Sequence, residues 1–141
     1  MKRVRIKTLS LWDPWGTLVA LGEKRYETRS WAPNYRGPLA IHVSKRWQSD
    51  QIQIVQQEPY RSVLGQHGFS VGADFPLGCV VAVVDLTGVY RTEDMRASLG
   101  KQELAFGDYG NGRFAWKLEN VRKLPKPVPA KGAQGLWWWD V

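Results

Sequence analysis

Early in the chain, the spacing of apolar and polar residues changes from a period of two to a helical period. Residues 5–11 are predicted to form a strand, in which successive side chains point to opposite faces. One face carries Ile6, Thr8 and Ser10, and the other carries Lys7, Leu9 and Leu11. Asp13-Pro14 follows and favours the start of a helix, with the aspartate as N-cap and the proline in the first turn. An apolar stripe at helical spacing then runs to Gly22, a residue suited to end a helix. The pattern predicts a strand followed by a short helix.

The rest of the chain consists of short apolar runs between polar or helical segments. A polar excursion with room for a short helix covers residues 91–110, and Pro125, Pro127 and Pro129 predict an extended connector. With no internal repeat and no long linker, we predict one α+β domain over residues 1–141, a small mixed β-barrel with a few flanking helices. The other predicted elements are strands at 26–30, 39–44, 79–86, 113–124 and after Gly135, and a helical stretch at 49–65 that is interrupted at Pro59.

Length and composition describe a folded protein. Its 141 residues are 43% hydrophobic and include eight tryptophans, which argues for a real core and against a disordered basic tail. No apolar run approaches the roughly 18 residues of a membrane span, and no signal-peptide pattern opens the chain. We therefore expect no membrane partner and a cytoplasmic location. Cys79, the single cysteine, excludes an intrachain disulfide, and His42 and His67 lack metal-ligand spacing, so we expect no metal and no cofactor.

The positive charge is concentrated near the N-terminus. The formal net charge is +7. Residues 1–46 hold ten Lys or Arg and three Asp or Glu, whereas residues 47–141 hold ten of each. The whole excess therefore belongs to the first third of the chain. A focused positive field of this kind attracts polyanions, of which nucleic acid backbones are the commonest in cells.

The densest charge pattern is GEKRYETR at residues 22–29, directly after the predicted helix. Glu27 and Arg29 are two apart in a predicted strand, so both side chains share a sheet face and can bond each other or a ligand. Lys24 lies beside Arg25, and a lysine near other cations and under aromatic rings suits a base or nucleophile. Strict alternation puts Lys24 and Glu27 on opposite faces, unless the strand begins after Lys24 or carries a bulge. The segment predicts a ligand site or a braced ion-pair cluster.

The order of the flanking motifs leads to a family. The motifs are SLWDPW at 10–15, YRGPLAIH at 35–42, FGDY at 106–109, RFAW at 113–116 and KGAQGLW at 131–137. Together with the G-x-K-x-x-E-x-R pattern of residues 22–29, these motifs resemble the ASCH domain family, a branch of the PUA-like β-barrels, over residues 7–137.

The resemblance implies a PUA-like pseudo-barrel and a function connected with RNA or nucleosides. The family includes RNA-associated modules and small hydrolases, among them ribonucleases. In members that hydrolyse acetylated cytidine, the lysine that matches Lys24 is catalytic, but those members carry threonine where this chain has Glu27. This departure argues against direct transfer of the amidohydrolase mechanism. Lys24 and Glu27 are catalytic candidates only if the protein is an enzyme.

Aromatic, basic and amide side chains complete the predicted ligand site. Unstacked bases bind to aromatic rings, and Gln134 offers a donor and an acceptor to a base edge. His42 is either a cleft residue or a satisfied structural histidine, and Asp108 is interpreted as a turn residue. The predicted binding residues are Trp12, Lys24, Arg25, Glu27, Arg29, Trp31, Arg36, His42, Lys45, Tyr109, Arg113, Lys131 and Gln134.

Three functional hypotheses follow. The leading one is an RNA-binding ASCH module whose basic, aromatic-lined cleft accepts a nucleobase or nucleoside. The alternative is a metal-free hydrolase that acts on RNA or on acylated cytidine, with Lys24 as base or nucleophile. The third is a protein-interaction domain that uses the tryptophans at residues 137–139. The sequence leaves the RNA target and the oligomeric state open.

Overall fold

A computed structural model describes residues 4–70 and 72–141. Lys2 and Arg3, two of the N-terminal cations counted above, lie outside the described residues. Two short 3₁₀ turns, Gly72–Asp74 and Arg96–Ser98, accompany the regular elements. In chain order these elements are β1 Arg5–Leu11, α1 Trp15–Ala20, β2 Tyr26–Arg29, β3 Gly37–Val43, α2 Ser49–Ile54, α3 Tyr60–Gln66, β4 Cys79–Arg91, α4 Thr92–Met95, α5 Lys101–Ala105, β5 Phe114–Pro129 and β6 Leu136–Asp140.

The six strands of the described chain form one curled, half-barrel sheet in the order β2-β5-β4-β3-β1-β6. β1 and β3 run parallel, so their last residues, Leu11 and Val43, pair at the same end of the sheet. The other neighbouring strands pair antiparallel. Arg29 of β2 donates a hydrogen bond to the Ser10 carbonyl of β1 at 3.0 Å, although three strands separate β2 from β1 in the sheet order. This contact joins the two sides of the half-barrel.

Two apolar clusters stabilise the fold by removing side chains from water. The first fills the inner side of the sheet and centres on fully buried residues such as Leu9, Ile41 and Trp116. The second packs α1 against α3 and the loop after α5, and it includes Leu18 and Phe106. Trp15 and Leu77 contact both clusters. The end of the sheet near α1 is therefore held from two sides.

Helix α1 begins one residue later than predicted, at Trp15, with Pro14 instead of Asp13 as its N-cap, and Asp13 and Gly22 still fix its two ends. The buried Asp13 carboxylate accepts hydrogen bonds from the backbone N–H and the hydroxyl of Thr17, both at 2.7 Å. Gly22, at φ = +76°, follows the helix, and its N–H and that of Glu23 donate back to carbonyls of the last turn. This is the hydrogen-bond pattern of a Schellman motif, which glycine satisfies without strain. The fixed helix ends determine where Trp12 and Lys24 enter the adjoining loops.

The α+β barrel prediction is confirmed, with strand and helix positions close to those expected. The connector predicted at the three prolines needs correction, because β5 continues through Pro129, which pairs with Cys79 of β4. The next residue, Ala130, donates its N–H to the Gly78 carbonyl at 3.0 Å. The N–H groups of successive strand residues point to opposite sides, so the Pro129 nitrogen points away from β4, toward the other edge of β5. β2 covers that edge only at residues 114–117, so no described strand pairs with it at Pro129. A proline there removes no ladder hydrogen bond, so the strand tolerates it.

Candidate nucleic-acid cleft

A cleft of about 1600 Å³ opens where β1 and β3 end. Its walls come from these strand ends, from β2, from the loop after α5 and from the loop 130–135 between β5 and β6. Five large aromatic residues line the cleft: Trp12, Trp15, Trp31, Tyr60 and Phe106. The basic lining residues are Arg29, Lys45, Arg113 and Lys131, and the acidic ones are Glu27 and Asp108.

Glu27 lies in the cleft lining between two cations. β2 begins only at Tyr26, so Lys24 precedes the strand and its ammonium reaches Glu27, with the Lys24 Nζ and Glu27 Oε1 atoms 3.6 Å apart. On the other side, Arg29 Nε donates to Glu27 Oε2 at 3.0 Å. The i, i+2 spacing on β2 places Glu27 and Arg29 on one sheet face, as the sequence predicts. The result is a rigid carboxylate whose two oxygens both have cationic neighbours.

Lys24 is buried beneath this carboxylate. Its side chain is 1% exposed, it does not line the cleft, and Nζ donates to the Phe106 carbonyl at 2.6 Å. Burial lowers the pKa of Lys24 below its usual range, while the carboxylates of Glu27 and Glu103 oppose the shift. A ligand in the cleft therefore meets Glu27 before it meets Lys24.

His42 joins β3 to the loop that closes the cleft. Its ring nitrogens lie 2.9 Å from Ser10 Oγ and 2.7 Å from the Ala130 carbonyl oxygen, and Trp137 packs edge-on at 5.4 Å. Burial lowers the pKa of His42, whereas the hydrogen bond to Ala130 opposes that shift. A Cβ atom at Gly132 would come within 2.6 Å of the His42 ring. His42 therefore positions the loop, and both of its nitrogens already have partners.

Trp12 presents an aromatic ring that is held in place by the Arg46 guanidinium on one of its faces. The residue is 49% exposed, and the Arg46 guanidinium carbon lies 3.9 Å from the ring centroid. Arg46 is itself held by Gln51 Oε1 at 2.7 Å, and it contacts Gln48 and Asp50 at the start of α2. Buried Gln51 also donates to the carbonyl of Asp13, beside Trp12. This network leaves one face of the indole covered by a cation and the remainder open to the cleft.

Trp31 supplies a second exposed ring after β2. It is 37% exposed, and it packs edge-to-face on buried Trp116 with the ring centroids 4.9 Å apart. The Trp116 indole N–H donates to the Trp31 carbonyl at 3.2 Å. The backbone of Trp31 is therefore anchored to the core, while its side chain stays accessible.

Two lysines supply the uncompensated charge of the cleft. Arg113 is occupied, since it donates to the carbonyls of Asp108 and Thr28 and pairs with the Asp108 carboxylate at 3.5 Å. Lys45 and Lys131 are exposed, and within residues 4–70 and 72–141 neither has a hydrogen-bond or ion-pair partner. Their ammonium groups are free to meet an anion. Asp108 also accepts from the Gly110 N–H at 3.1 Å, which fits the turn role predicted for it.

The sequence matches the ASCH domain family over residues 9–128. The chain belongs to this family. The predicted resemblance is therefore confirmed, and the cleft described above is the cleft of an ASCH domain.

Relatives and solved structures agree with this assignment. Activating signal cointegrator 1 of Homo sapiens and of Mus musculus are each 28% identical over 129 residues, which is 92% of this chain. The chain spans about a fifth of the length of these relatives, 21%. The crystal structure of ASCH from Zymomonas mobilis superposes with a TM-score of 0.56 at 14% identity, covering 94% of this chain and 86% of that one. At this identity the superposition supports the fold.

The ASCH cleft brings most of the predicted binding residues together. Arg25, Arg36 and Tyr109 lie outside its lining. Arg36 bonds the carbonyls of its own loop, and Tyr109 is buried, with a hydroxyl that lacks a partner among the described residues. Lys24 lies behind Glu27. The predicted residues that line the cleft are Trp12, Glu27, Arg29, Trp31, His42, Lys45, Arg113, Lys131 and Gln134.

Sequence reasoning missed the residues that support this lining. Arg46 was not among the predicted binding residues, yet it covers Trp12. Glu103 accepts a hydrogen bond from the backbone N–H of Arg25 at 2.8 Å, although 78 positions separate the two residues, and it also lies near Lys24. The one available signal was local: Arg46 and Asp50 have the i, i+4 spacing of a helix ion pair. Contacts such as that between Lys24 and Phe106 join distant segments and leave no periodic pattern.

The described residues contain no group of three or more His, Cys, Asp or Glu side chains that could hold a metal ion. In the same part of the chain, no helix is long and apolar enough to cross a membrane.

Proposed function

We propose that this ASCH domain binds RNA, with a nucleobase or nucleoside in the cleft and phosphates on the basic residues around it. The family is associated with RNA. The observation that carries the proposal is the presence, in one cleft, of two accessible tryptophans, Trp12 and Trp31, and of two lysines that have no partner among the described residues, Lys45 and Lys131. Stacking on an aromatic ring contributes about 1–3 kcal/mol per base, and lysines bind phosphates as point charges.

The charge arrangement supports a phosphate-bearing ligand. The Glu27 carboxylate is compensated by Lys24 and Arg29, and Asp108 is compensated by Arg113. The charge that remains for a ligand is therefore positive. Glu27 still faces the cleft and has acceptor capacity beyond its two contacts, so it suits a base with an exocyclic amino group.

The size of the cleft favours a strand over a single small molecule. Pockets for small molecules usually measure about 300–1,000 Å³. The ASCH cleft, at about 1600 Å³, is larger. It has room for a base with its flanking nucleotides, as single-strand binding surfaces do.

One observation favours the hydrolase as a second function. Burial lowers the pKa of Lys24, and a neutral amine is the form that acts as a base or nucleophile. Its Nζ, however, lies behind Glu27 and donates to Phe106. Hydrolysis therefore requires that a substrate displace this contact. If RNA or acylated cytidine is cleaved, Lys24→Met should abolish turnover; a Lys24→Met variant with full turnover would exclude the lysine from the mechanism.

Fluorescence anisotropy tests the RNA proposal. Labelled single-stranded RNA is titrated with the protein at several salt concentrations, and each sample is then run on a denaturing gel to detect cleavage. The double variant Lys45→Gln/Lys131→Gln should reduce the dependence of log affinity on log salt by about 1.4, since each phosphate contact in single strands contributes about 0.7. Lys101→Gln/Lys126→Gln removes the same charge from exposed positions outside the cleft and should have little effect.

Stacking is tested separately with Trp12→Ala. The loss of about 1–3 kcal/mol of base stacking corresponds to roughly 5- to 150-fold weaker binding. Tyr90→Ala removes another exposed aromatic residue away from the cleft and serves as the control. Equal affinities for the wild type, Trp12→Ala and Lys45→Gln/Lys131→Gln would overturn the proposed site.

A further inference from the structure

A second, smaller groove lies at the other end of β1 and β3. Its volume is about 480 Å³, and it is lined where these two strands begin, by the middle of β4 and β5, and by Trp138 of β6. The cleft, by contrast, opens at Ser10 of β1 and His42 of β3. The lining of the groove combines apolar side chains with four cations, Arg5, Lys7, Arg122 and Lys123.

Half of this positive charge is already compensated. Arg5 pairs with Asp140 at 3.3 Å, and Arg122 pairs with Asp85 at 3.0 Å. Lys7 and Lys123 have no ion-pair partner in the described part of the chain. They belong to β1 and β5, so the two uncompensated ammonium groups come from different walls of the groove.

Trp138 orders the cations of one wall. It is 47% exposed, and its ring centroid lies 4.5 Å from Lys7 Nζ and 5.0 Å from the Arg5 guanidinium carbon. Lys7 pairs with Trp138 across β1 and β6, which keeps the ammonium and the ring on one sheet face. These cation–π contacts hold Arg5 and Lys7 in place and leave their charge toward solvent.

We propose that this groove binds the phosphate backbone of the RNA strand whose base occupies the cleft. The inference rests on the proposed function and extends it to a second contact on the same strand. A nucleic acid strand carries its charges on the outside at regular spacing, so a strand that crosses the groove meets Lys7 on one wall and Lys123 on the other. The indole of Trp138 is occupied by cations, so this groove contacts phosphates and the cleft contacts bases.

The distance between the two sites defines the RNA length that reaches both. β1 runs from the groove to the cleft over seven residues, which is about 20 Å at about 3.3 Å per residue. At 3.4 Å per stacked nucleotide this distance corresponds to roughly six nucleotides. A four-nucleotide RNA therefore occupies the cleft alone, whereas a sixteen-nucleotide RNA reaches the groove.

Oligonucleotide length separates the two contacts experimentally. Affinities for a four- and a sixteen-nucleotide RNA are measured across a salt series for the wild type, Lys7→Gln/Lys123→Gln and the control Lys101→Gln/Lys126→Gln. The groove variant should bind the short RNA like the wild type. For the long RNA, its plot of log affinity against log salt concentration should be less steep by about 1.4, and its affinity at 0.15 M salt should be roughly tenfold lower. Unchanged thermal unfolding shows that the variants are folded.

Each other outcome overturns the inference in a distinct way. Equal binding of the long RNA by the wild type and the groove variant excludes the groove from RNA contact. An equal loss on both lengths indicates a general effect of charge. If polyglutamate binds the wild type and the groove variant loses only that binding, the groove accepts an acidic protein. If the wild type binds neither RNA, the proposed function fails, and the groove inference falls with it.

Discussion

At the scale of single residues, the contact that most shapes the cleft is the one between Glu27 and the cations beside it. Lys24 is fully enclosed, and its ammonium has only the Phe106 carbonyl and the Glu27 carboxylate as close partners among the described residues. A buried ion pair adds little net stability when it is complete, because both charges lose their hydration. Removal of one partner, however, leaves an uncompensated buried charge. Glu27 is therefore a structural requirement as well as a cleft residue.

Glu27→Gln should destabilise the protein by roughly 3 kcal/mol, because it removes the carboxylate that pairs with the buried Lys24 ammonium and leaves only Glu103, beyond ion-pair distance, to oppose that charge. The same change should lower the pKa of Lys24 further. Urea unfolding measures the loss. The control is Glu119→Gln, which breaks a Lys–Glu pair with the same 3.6 Å separation at an exposed site with Lys117. It should leave the unfolding midpoint unchanged; equal effects of the two substitutions would contradict the argument from burial.

Asp13 makes stability depend on pH. Burial raises the pKa of this carboxyl to about 6, although its two hydrogen bonds from Thr17 favour the ionised form. The folded pKa exceeds the unfolded value of about 3.9, so the native state binds the proton more tightly. The stability that Asp13 contributes is therefore complete below about pH 4 and is lost as the pH rises through 6. A shift of about two units corresponds to about 3 kcal/mol.

Asp13→Asn should remove this dependence while it keeps both hydrogen bonds with Thr17. The amide oxygen can accept from the Thr17 N–H, and the amide nitrogen can donate to the Thr17 hydroxyl. The difference in unfolding free energy between Asp13→Asn and the wild type should therefore rise by up to about 3 kcal/mol between pH 4 and pH 7. Urea unfolding at each pH measures it. A difference that stays constant across this range would rule out Asp13 as the titrating group.

At the scale of elements, the loop 130–135 owes its position to one residue without a side chain. A Cβ on Gly132 would lie 2.6 Å from the His42 ring and 2.8 Å from Ser10 Oγ, distances that real Cβ atoms do not adopt. With an alanine side chain at position 132, the loop could not stay close enough for the Ala130 carbonyl to accept the hydrogen bond from His42. Close approach of backbone to the ring therefore requires glycine here.

Gly132→Ala should destabilise the protein by about 1–3 kcal/mol through overpacking and should weaken RNA binding, because Lys131 and Gln134 share the loop. Gly65→Ala is the matched substitution. Gly65 lies in α3, and within 4 Å of an added Cβ there is no described atom beyond its chain neighbours and its own helix backbone, so alanine there should stabilise the protein by about 0.5–1 kcal/mol. Thermal unfolding shows whether each substitution raises or lowers the stability of the protein. The same sign for both would show that contact with His42 is not what limits position 132.

The elements that sequence reasoning located are those with a local signal. β1 follows from its strand pattern and α1 from the Asp13 and Gly22 signals; β1 appears where it is predicted, and α1 begins one residue later. The burial of Lys24 could not be foreseen, since the Phe106 carbonyl that it meets is 82 positions away. The strand through Pro129 was missed because its proline is tolerated only where the other edge of β5 is unpaired. Sheet order decides such features, and no window of the sequence contains it.

At the scale of the whole molecule, the Arg29 guanidinium links the two sides of the half-barrel at its open side. β2 pairs with β5 alone, and over its four residues it has no other strand neighbour in the described sheet. Arg29 spans the gap, with Nη2 on the Ser10 carbonyl and Nε on Glu27, both at 3.0 Å. β6 pairs with β1 only as far as Leu9, so the Ser10 carbonyl is available to accept this bond.

Arg29→Lys tests this closure while it preserves the charge. Lysine lacks the fork that serves two acceptors at once, so at least one of the two bonds should be lost. We expect a loss of roughly 1–3 kcal/mol in stability and faster amide exchange confined to β2. Hydrogen exchange read by mass spectrometry measures both. Arg122→Lys is the control, because its ion pair with Asp85 joins strands that already share a ladder. Wild-type protection of Tyr26–Arg29 in the Arg29→Lys protein would show that packing alone closes the half-barrel.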